Sequence, residues 1–292
     1  MSLKNYCSYV LAIFAFSIIL LAPSRGPSLD FIRINYDSAK ENESNPPGLG
    51  NPKIHKLTET VYAITDLYHS AGKLAGVNAG IIITSGNIIF IDSGMTIASG
   101  EFLWEAARKK MKGKEKLYLI LTHHHSDHVF GMRAMKEKGA KVIAHKIVRA
   151  SFIEFDGKRY KRFLVERAGW STEKGDLIFG DVVLSEPDQL VEQDTILNFD
   201  GEEIHLIFTP GHTTDSISVY HPKSKTLFAG DTIYEGMRLT TRFAGPEEWK
   251  LWIFQLERLR KLEINTIVPG HGKLCSKKEI DRNIAFLKEL LK

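Results

Sequence analysis

Apolar residues along this chain fall into short runs separated by polar, glycine-containing segments. Residues 61–65, 79–84 and 88–91 are runs of this kind rich in β-branched side chains, which predicts strands, and they lead into a helical stretch at 98–111. Residues 117–121 (Leu-Tyr-Leu-Ile-Leu) predict a buried strand, followed by a helix at 129–138 and a strand at 142–145, a β-loop-α-β unit. Strands follow at 204–209, 217–220 and 226–229, then a helix at 246–262, a strand at 266–268 and a last helix at 277–291. Strands and helices interleave, so the expected class is α/β (α+β).

The N-terminus breaks this pattern. Residues 5–24 carry no charge, residues 9–22 are apolar except for Ser17, and Lys4 precedes them. A basic start, an apolar core and a polar continuation are the layout of a secretory signal. The uncharged length is also close to the roughly 20 residues that span a bilayer, and Pro23 after Ala22 spoils a small-x-small cleavage site. Residues 1–28 are therefore read as a signal peptide or N-terminal membrane anchor, with the remainder outside the cytoplasm. Residues 29–52 are read as a linker, because 38–52 lacks apolar periodicity and is rich in turn-formers. Residues 53–292 form one large domain, and 43% hydrophobic content is enough for a sizeable core.

Charge and cysteine content narrow the picture only a little. A net charge of +4 is too mild to imply nucleic acid, and no aromatic-basic RNA-binding motif is present. Cys7 lies in the N-terminal segment and Cys275 stands by itself, so the domain has no internal disulfide to form. Oligomeric state leaves no mark in the sequence.

The chemistry is concentrated in four blocks. Directly after the run 117–121 come Thr122, His123, His124, His125, Ser126, Asp127 and His128, the pattern HxHxDH. A strand end is a rigid platform, and grouping four imidazole and carboxylate donors on one turn costs repulsion that a bound cation relieves. Thr209-Pro210-Gly211-His212-Thr213, Phe228-Ala229-Gly230-Asp231-Thr232 and Val268-Pro269-Gly270-His271-Gly272 each place one ligand-type residue after a strand-like run. Each block contains glycine, which permits tight loops and close backbone approach.

These blocks, in this order, resemble the metallo-β-lactamase superfamily of metal-dependent hydrolases, over the region from Ile54 to the C-terminus. The resemblance implies a four-layer αββα sandwich, with residues 53–292 as its catalytic domain and the site built from loops at one edge of two packed sheets. It also implies that His123, His125 and His212 hold one metal ion, that Asp127, His128 and His271 hold a second, and that Asp231 bridges them. The stretch Ile88-Ile89-Phe90-Ile91-Asp92-Ser93-Gly94 resembles the family's first block, an acid that supports the metal site from behind the ligands. The implied cofactor is two Zn2+, with iron or manganese tolerated by an all-nitrogen-and-oxygen set. The implied reaction is attack by a metal-bridging hydroxide on the carbonyl of a small ester, lactone, thioester or amide, with Asp127 orienting the nucleophile. A small-molecule substrate is the expected partner, and a membrane enters only through the N-terminal segment.

Some positions bear on the branch. Tyr234, three residues after Asp231, resembles the acyl-homoserine lactonase branch, where such a tyrosine helps bind the lactone oxygen; the other reading is a packed tyrosine with its hydroxyl satisfied. Asp231 stands where a large class of true β-lactamases has cysteine, which counts against antibiotic hydrolysis as the main activity. His125 stands where the flavodiiron oxygen reductases have glutamate. The rival class is a mononuclear iron persulfide dioxygenase, which resembles this chain but uses only the positions of His123, His212 and Asp231. A non-catalytic metal-binding relative would usually have lost a ligand, and none is missing. His124 is expected to point away from the ions, and His55, His69, His145, His205 and His221 are read as structural or exposed. Residues 146–174 hold eight Lys or Arg against four Asp or Glu, interleaved with Phe152, Phe155, Tyr160, Phe163 and Trp170. This segment reads either as a lid over the site or as an amphipathic helical face whose aromatics pack down.

Overall fold

The computed structural model describes residues 45–69, 76–154 and 157–292. The segment read as a signal or anchor, and most of the linker, lie outside these residues. Among the described residues no helix is long and apolar enough to cross a membrane.

Among the described residues, twelve strands form two halves of one hydrogen-bonded sheet. The first half runs β1 (Gly50–Lys56), β2 (Val61–Leu67), β3 (Val77–Ile83), β4 (Asn87–Ile91), β5 (Lys116–Ile120), β6 (Lys141–His145) and β7 (Gln189–Val191). The second runs β12 (Thr266–His271), β11 (Thr226–Tyr234), β10 (Ile217–His221), β9 (Glu202–Phe208) and β8 (Thr195–Phe199). The halves meet at a single residue pair, His271 opposite Val77. Asn78 reinforces that seam, its side-chain amide donating to the carbonyls of Pro269 and Gly272 at 2.9 Å each.

Strand alternation turns this sheet into layers. In β4, Ile89 and Ile91 face a central cluster that also holds Val219 and Phe228 of the second half, so the halves pack face to face. Ile88 and Phe90 face the opposite way, onto Leu103 of α1 (Ile97–Arg108) and Met132 and Met135 of α3 (Met132–Glu137). On the far side, Leu227 and Ala229 of β11 pack with Trp252 and Leu256 of α7 (Pro246–Arg260) and Ile280 and Leu287 of α8 (Lys277–Leu290). Three apolar clusters between four layers are the expected αββα sandwich. Each fully buried Ile, Leu or Phe contributes roughly 1.5–3 kcal/mol of transfer free energy.

Two stretches depart from the sequence pattern, and a third decides between its two readings. The helix expected at 129–138 is two pieces, α2 (Ser126–Val129) and α3, because Gly131 is pressed against the β4–α1 loop. A Cβ there would lie 2.1 Å from the Ser93 carbonyl, and the Gly131 N–H donates to Gly94 O at 3.1 Å. Within the segment read as linker, Leu49 is buried and β1 already starts at Gly50. The segment 146–174 contributes α4 (Val148–Glu154), α5 (Gly157–Ala168) and the start of α6 (Thr172–Phe179). Phe152, Leu164 and Trp170 pack onto the first core cluster, whereas Phe163 is 49% exposed, so this segment is chiefly a packed helical face.

Candidate metal centre

The ends of four strands converge. β5 ends at Ile120, and the chain turns through Thr122 and His125 into the one-turn helix α2, whose first turn carries Asp127 and His128. His212 follows β9, Asp231 lies within β11 and His271 closes β12. Because β11 and β12 run parallel, their residues emerge at the same edge. Gly270 lets them come close, since a Cβ on it would lie 2.0 Å from Asp231 Oδ1.

Asp92 sets the orientation of two of these histidines. It sits just past β4 with a left-handed φ of 60°, which swings its carboxylate under the β5 turn. Oδ1 accepts the Thr122 N–H at 2.7 Å; Oδ2 accepts the Thr122 hydroxyl at 2.8 Å and lies 2.7 Å from His128 Nδ1. The Thr122 Oγ1 therefore has its proton committed to Asp92 and takes one from His123 Nδ1, 3.1 Å away. His123 is thereby left with its Nε2 lone pair turned into the centre, and His128 turns its Nε2 the same way.

The donors form two groups sharing one carboxylate. Asp231 Oδ2 lies 3.2 Å from His212 Nε2 and 3.8 Å from His123 Nε2, and His212 Nε2 is 3.0 Å from His125 Nδ1. Asp231 Oδ1 lies 3.1 Å from His128 Nε2 and 3.4 Å from His271 Nε2. Asp127 Oδ2 joins this second group, 3.1 Å from His271 Nε2 and 3.7 Å from His128 Nε2. Donors about 2.0–2.1 Å from a tetrahedral ion stand ~3.3 Å apart, the range seen here. His123 Nε2, His128 Nε2 and Asp231 Oδ1 are buried without a hydrogen-bond partner among the described residues. Buried imidazole nitrogens and carboxylate oxygens gathered in one place fit a site meant for cations.

The electrostatics agree. Burial, with the neighbouring histidines, pushes His123 and His125 well below the ordinary imidazole value, so both keep lone pairs at neutral pH. Burial opposes ionisation of Asp127 and Asp231, but the surrounding imidazoles outweigh it and hold both carboxyls well below their usual range. Against the same desolvation, these carboxylates raise His128 well above its ordinary value and His271 to about 10. In ion-free protein the raised His271 stabilises the fold fully below about pH 6.5, and that stabilisation is lost as pH rises through about 10; the raised His128 acts in the same direction. Above pH 6.5, His123 and His125 are neutral both folded and unfolded and do not interfere. Chelator-treated protein should therefore melt at progressively lower temperature from pH 6.5 to 10, read by circular dichroism; a flat or rising profile would refute this charge assignment.

All seven residues of the sequence blocks come together. Tyr234 joins them, 2% exposed, but its hydroxyl donates to Asp231 Oδ2 at 2.6 Å. Burial and the Asp231 charge push the phenol well above its ordinary value, so it keeps this proton. His124 does point away, onto Asp215 Oδ1 at 2.8 Å. His145 stacks on Phe208 and His221 bonds Glu202, both away from the centre. His69, read as structural or exposed, is instead at the centre, its Nε2 3.2 Å from Asp127 Oδ2. It lies in no motif; the only available signal was its place just past an apolar strand, as for the other donors. At the rim, the ring of Phe243, 48% exposed, lies 4.6 Å from that of His125, and the Arg242 guanidinium lies 4.5 Å from the Phe243 centroid.

Known proteins place this architecture. The sequence profile of the metallo-beta-lactamase superfamily matches residues 72–271. A metallo-beta-lactamase type 2 from Bacillus sp. (strain 170) is 26% identical over 82% of this chain and 83% of its own length. An acyl-coenzyme A thioesterase, MBLAC2, from Gallus gallus is 22% identical over 78% of this chain and 83% of its own. Among solved structures, a metallo-beta-lactamase from Pontibacter korlensis superposes with a TM-score of 0.61 at 23% identity, covering 82% of this chain and 99% of that one.

Proposed function

The chain belongs to the metallo-beta-lactamase superfamily of metal-dependent hydrolases, and from that premise we propose that it is a dinuclear zinc hydrolase of a small ester, lactone, thioester or amide. The observation that carries two ions over one is the division of Asp231, whose two oxygens face two separate groups of histidines. A single-iron persulfide dioxygenase would use His123, His212 and Asp231 and leave the grouping of Asp127, His128 and His271 without a role. The nitrogen-and-oxygen donor set suits zinc and also tolerates iron or manganese.

Bound there, two ions would supply a water acidified toward neutrality and a Lewis acid for the substrate carbonyl. The chain's own residues do the remainder. Asp127 presents its carboxylate from the first turn of α2, where it can accept a hydrogen bond from the attacking water and fix its direction. Tyr234 holds the Asp231 carboxylate in place through its phenol, a positioning role that spends the hydroxyl the lactonase comparison would give to substrate. Phe243 offers an apolar wall beside His125, and Arg242 adds a positive charge at the same rim. That combination suits an acyl substrate with an anionic group, in keeping with relatives named as a β-lactamase and as an acyl-coenzyme A thioesterase. The N-terminal sequence pattern supports a position for the domain outside the cytoplasm.

A panel of chromogenic esters, lactones, thioesters and a β-lactam, offered to the full chain, tests this reading. Hydrolysis of at least one class is expected, abolished by chelator and restored by zinc. No hydrolysis of any class, together with oxygen uptake on a persulfide, would replace it with the oxygenase reading.

A further inference from the structure

His69 is held at the centre by structure on both sides of it. β2 is pinned at its end where the Tyr68 N–H donates to Leu49 O at 2.9 Å, and where Leu67 pairs with Val77 across β3. Gly76 closes the same corner so tightly that a Cβ would lie 2.4 Å from Leu67 O. The buried Tyr68 ring lies 6.4 Å from Trp170, which stacks on Phe179 at 5.9 Å. The packed helices after residue 146 thus buttress the strand end that carries His69. The imidazole is 13% exposed and meets the His271 ring edge-on, with centroids 5.1 Å apart at 90°.

Two imidazole nitrogens converge on a single oxygen, Asp127 Oδ2, His271 at 3.1 Å and His69 at 3.2 Å. The donor atoms of His69, Asp127 and His271 all lie within 4.8 Å of one another, as do those of His128, Asp231 and His271. A hydrogen-bonding partner for Asp127 could lie at any angle to His271; a third donor packed against the same two is placed as a ligand is. We propose that His69 is a further protein donor to the ion held by Asp127, His128 and His271, an inference that rests on the two-ion reading above. The second position then takes its donors from four separate regions of the chain: the end of β2, the β5 turn, β11 and β12.

The test measures both zinc dissociation constants of the full chain by competition with a chromophoric chelator, for wild type, His69→Ala and His69→Gln. A glutamine amide can still donate to the Asp127 carboxylate but is a poor zinc ligand, so it separates coordination from orientation. Both variants are expected to weaken the second ion about tenfold or more and leave the first unchanged. The visible spectrum of the two-cobalt form is expected to change in both variants, reporting altered coordination at one ion. His69→Gln decides the matter by itself should His69→Ala not fold. Wild-type affinity and an unchanged cobalt spectrum in His69→Gln would make His69 only a partner of Asp127 and overturn the proposal. A wild type that binds one ion alone would overturn the two-ion reading and this inference with it.

Discussion

Asp231→Ala is expected to strip the protein of both ions and to lower hydrolysis by at least ~10^3-fold, the equivalent of about 4 kcal/mol of transition-state stabilisation. Among the described residues no other faces both groups: Oδ2 is turned to His212 and His123, Oδ1 to His128 and His271. Its loss also leaves the buried Tyr234 hydroxyl without its 2.6 Å acceptor, at a cost of about 1–3 kcal/mol in stability. Asp231→Asn separates the two effects, because the amide oxygen can still accept from Tyr234 while the charge is gone. Elemental analysis and turnover on the same preparations decide it. Retention of two ions per chain with wild-type turnover in either variant would remove Asp231 from the bridging role.

Asp127→Ala should leave a different signature: one ion kept, one lost, the fold intact and turnover reduced by ~10^2–10^4-fold. Its carboxylate contacts only the second group, with His271 at 3.1 Å and His69 at 3.2 Å, whereas His123, His125 and His212 do not depend on it. The residue sits on the four-residue helix α2 and belongs to none of the three apolar clusters, so its removal takes no side chain from the core. Near-ultraviolet circular dichroism reports the fold, and hydrolysis of the best substrate reports the role. Undiminished turnover would exclude Asp127 from both nucleophile orientation and ion binding.

The donors that the structure gathers were legible because each sits in a block with its own local logic, an apolar run, a glycine and a ligand-type side chain. Asp92 was legible for the same reason, although its reach to both Thr122 and His128 depends on a positive φ that no spacing reveals. His69 was hidden because position past a strand is shared by many inert residues; its proximity to Asp127 arises from the β2–β3 pairing, a contact between elements. Tyr234 could be placed beside the centre by its spacing from Asp231, but not the direction of its hydroxyl, which follows from the register of β11 on β12. The strands β1, β7 and β8 escaped notice because three to seven half-exposed residues leave too weak an alternation. The break between α2 and α3 comes from a steric contact with Ser93, 38 residues upstream of Gly131, which helical periodicity does not record.

The measurement that bears most directly on the central claim is the metal content of the full chain, purified with neither chelator nor added metal and analysed for zinc, iron and manganese. Two zinc ions per chain, one released by chelator before the other, is the predicted result. A single iron per chain, with no second ion taken up when zinc is titrated in, would contradict it.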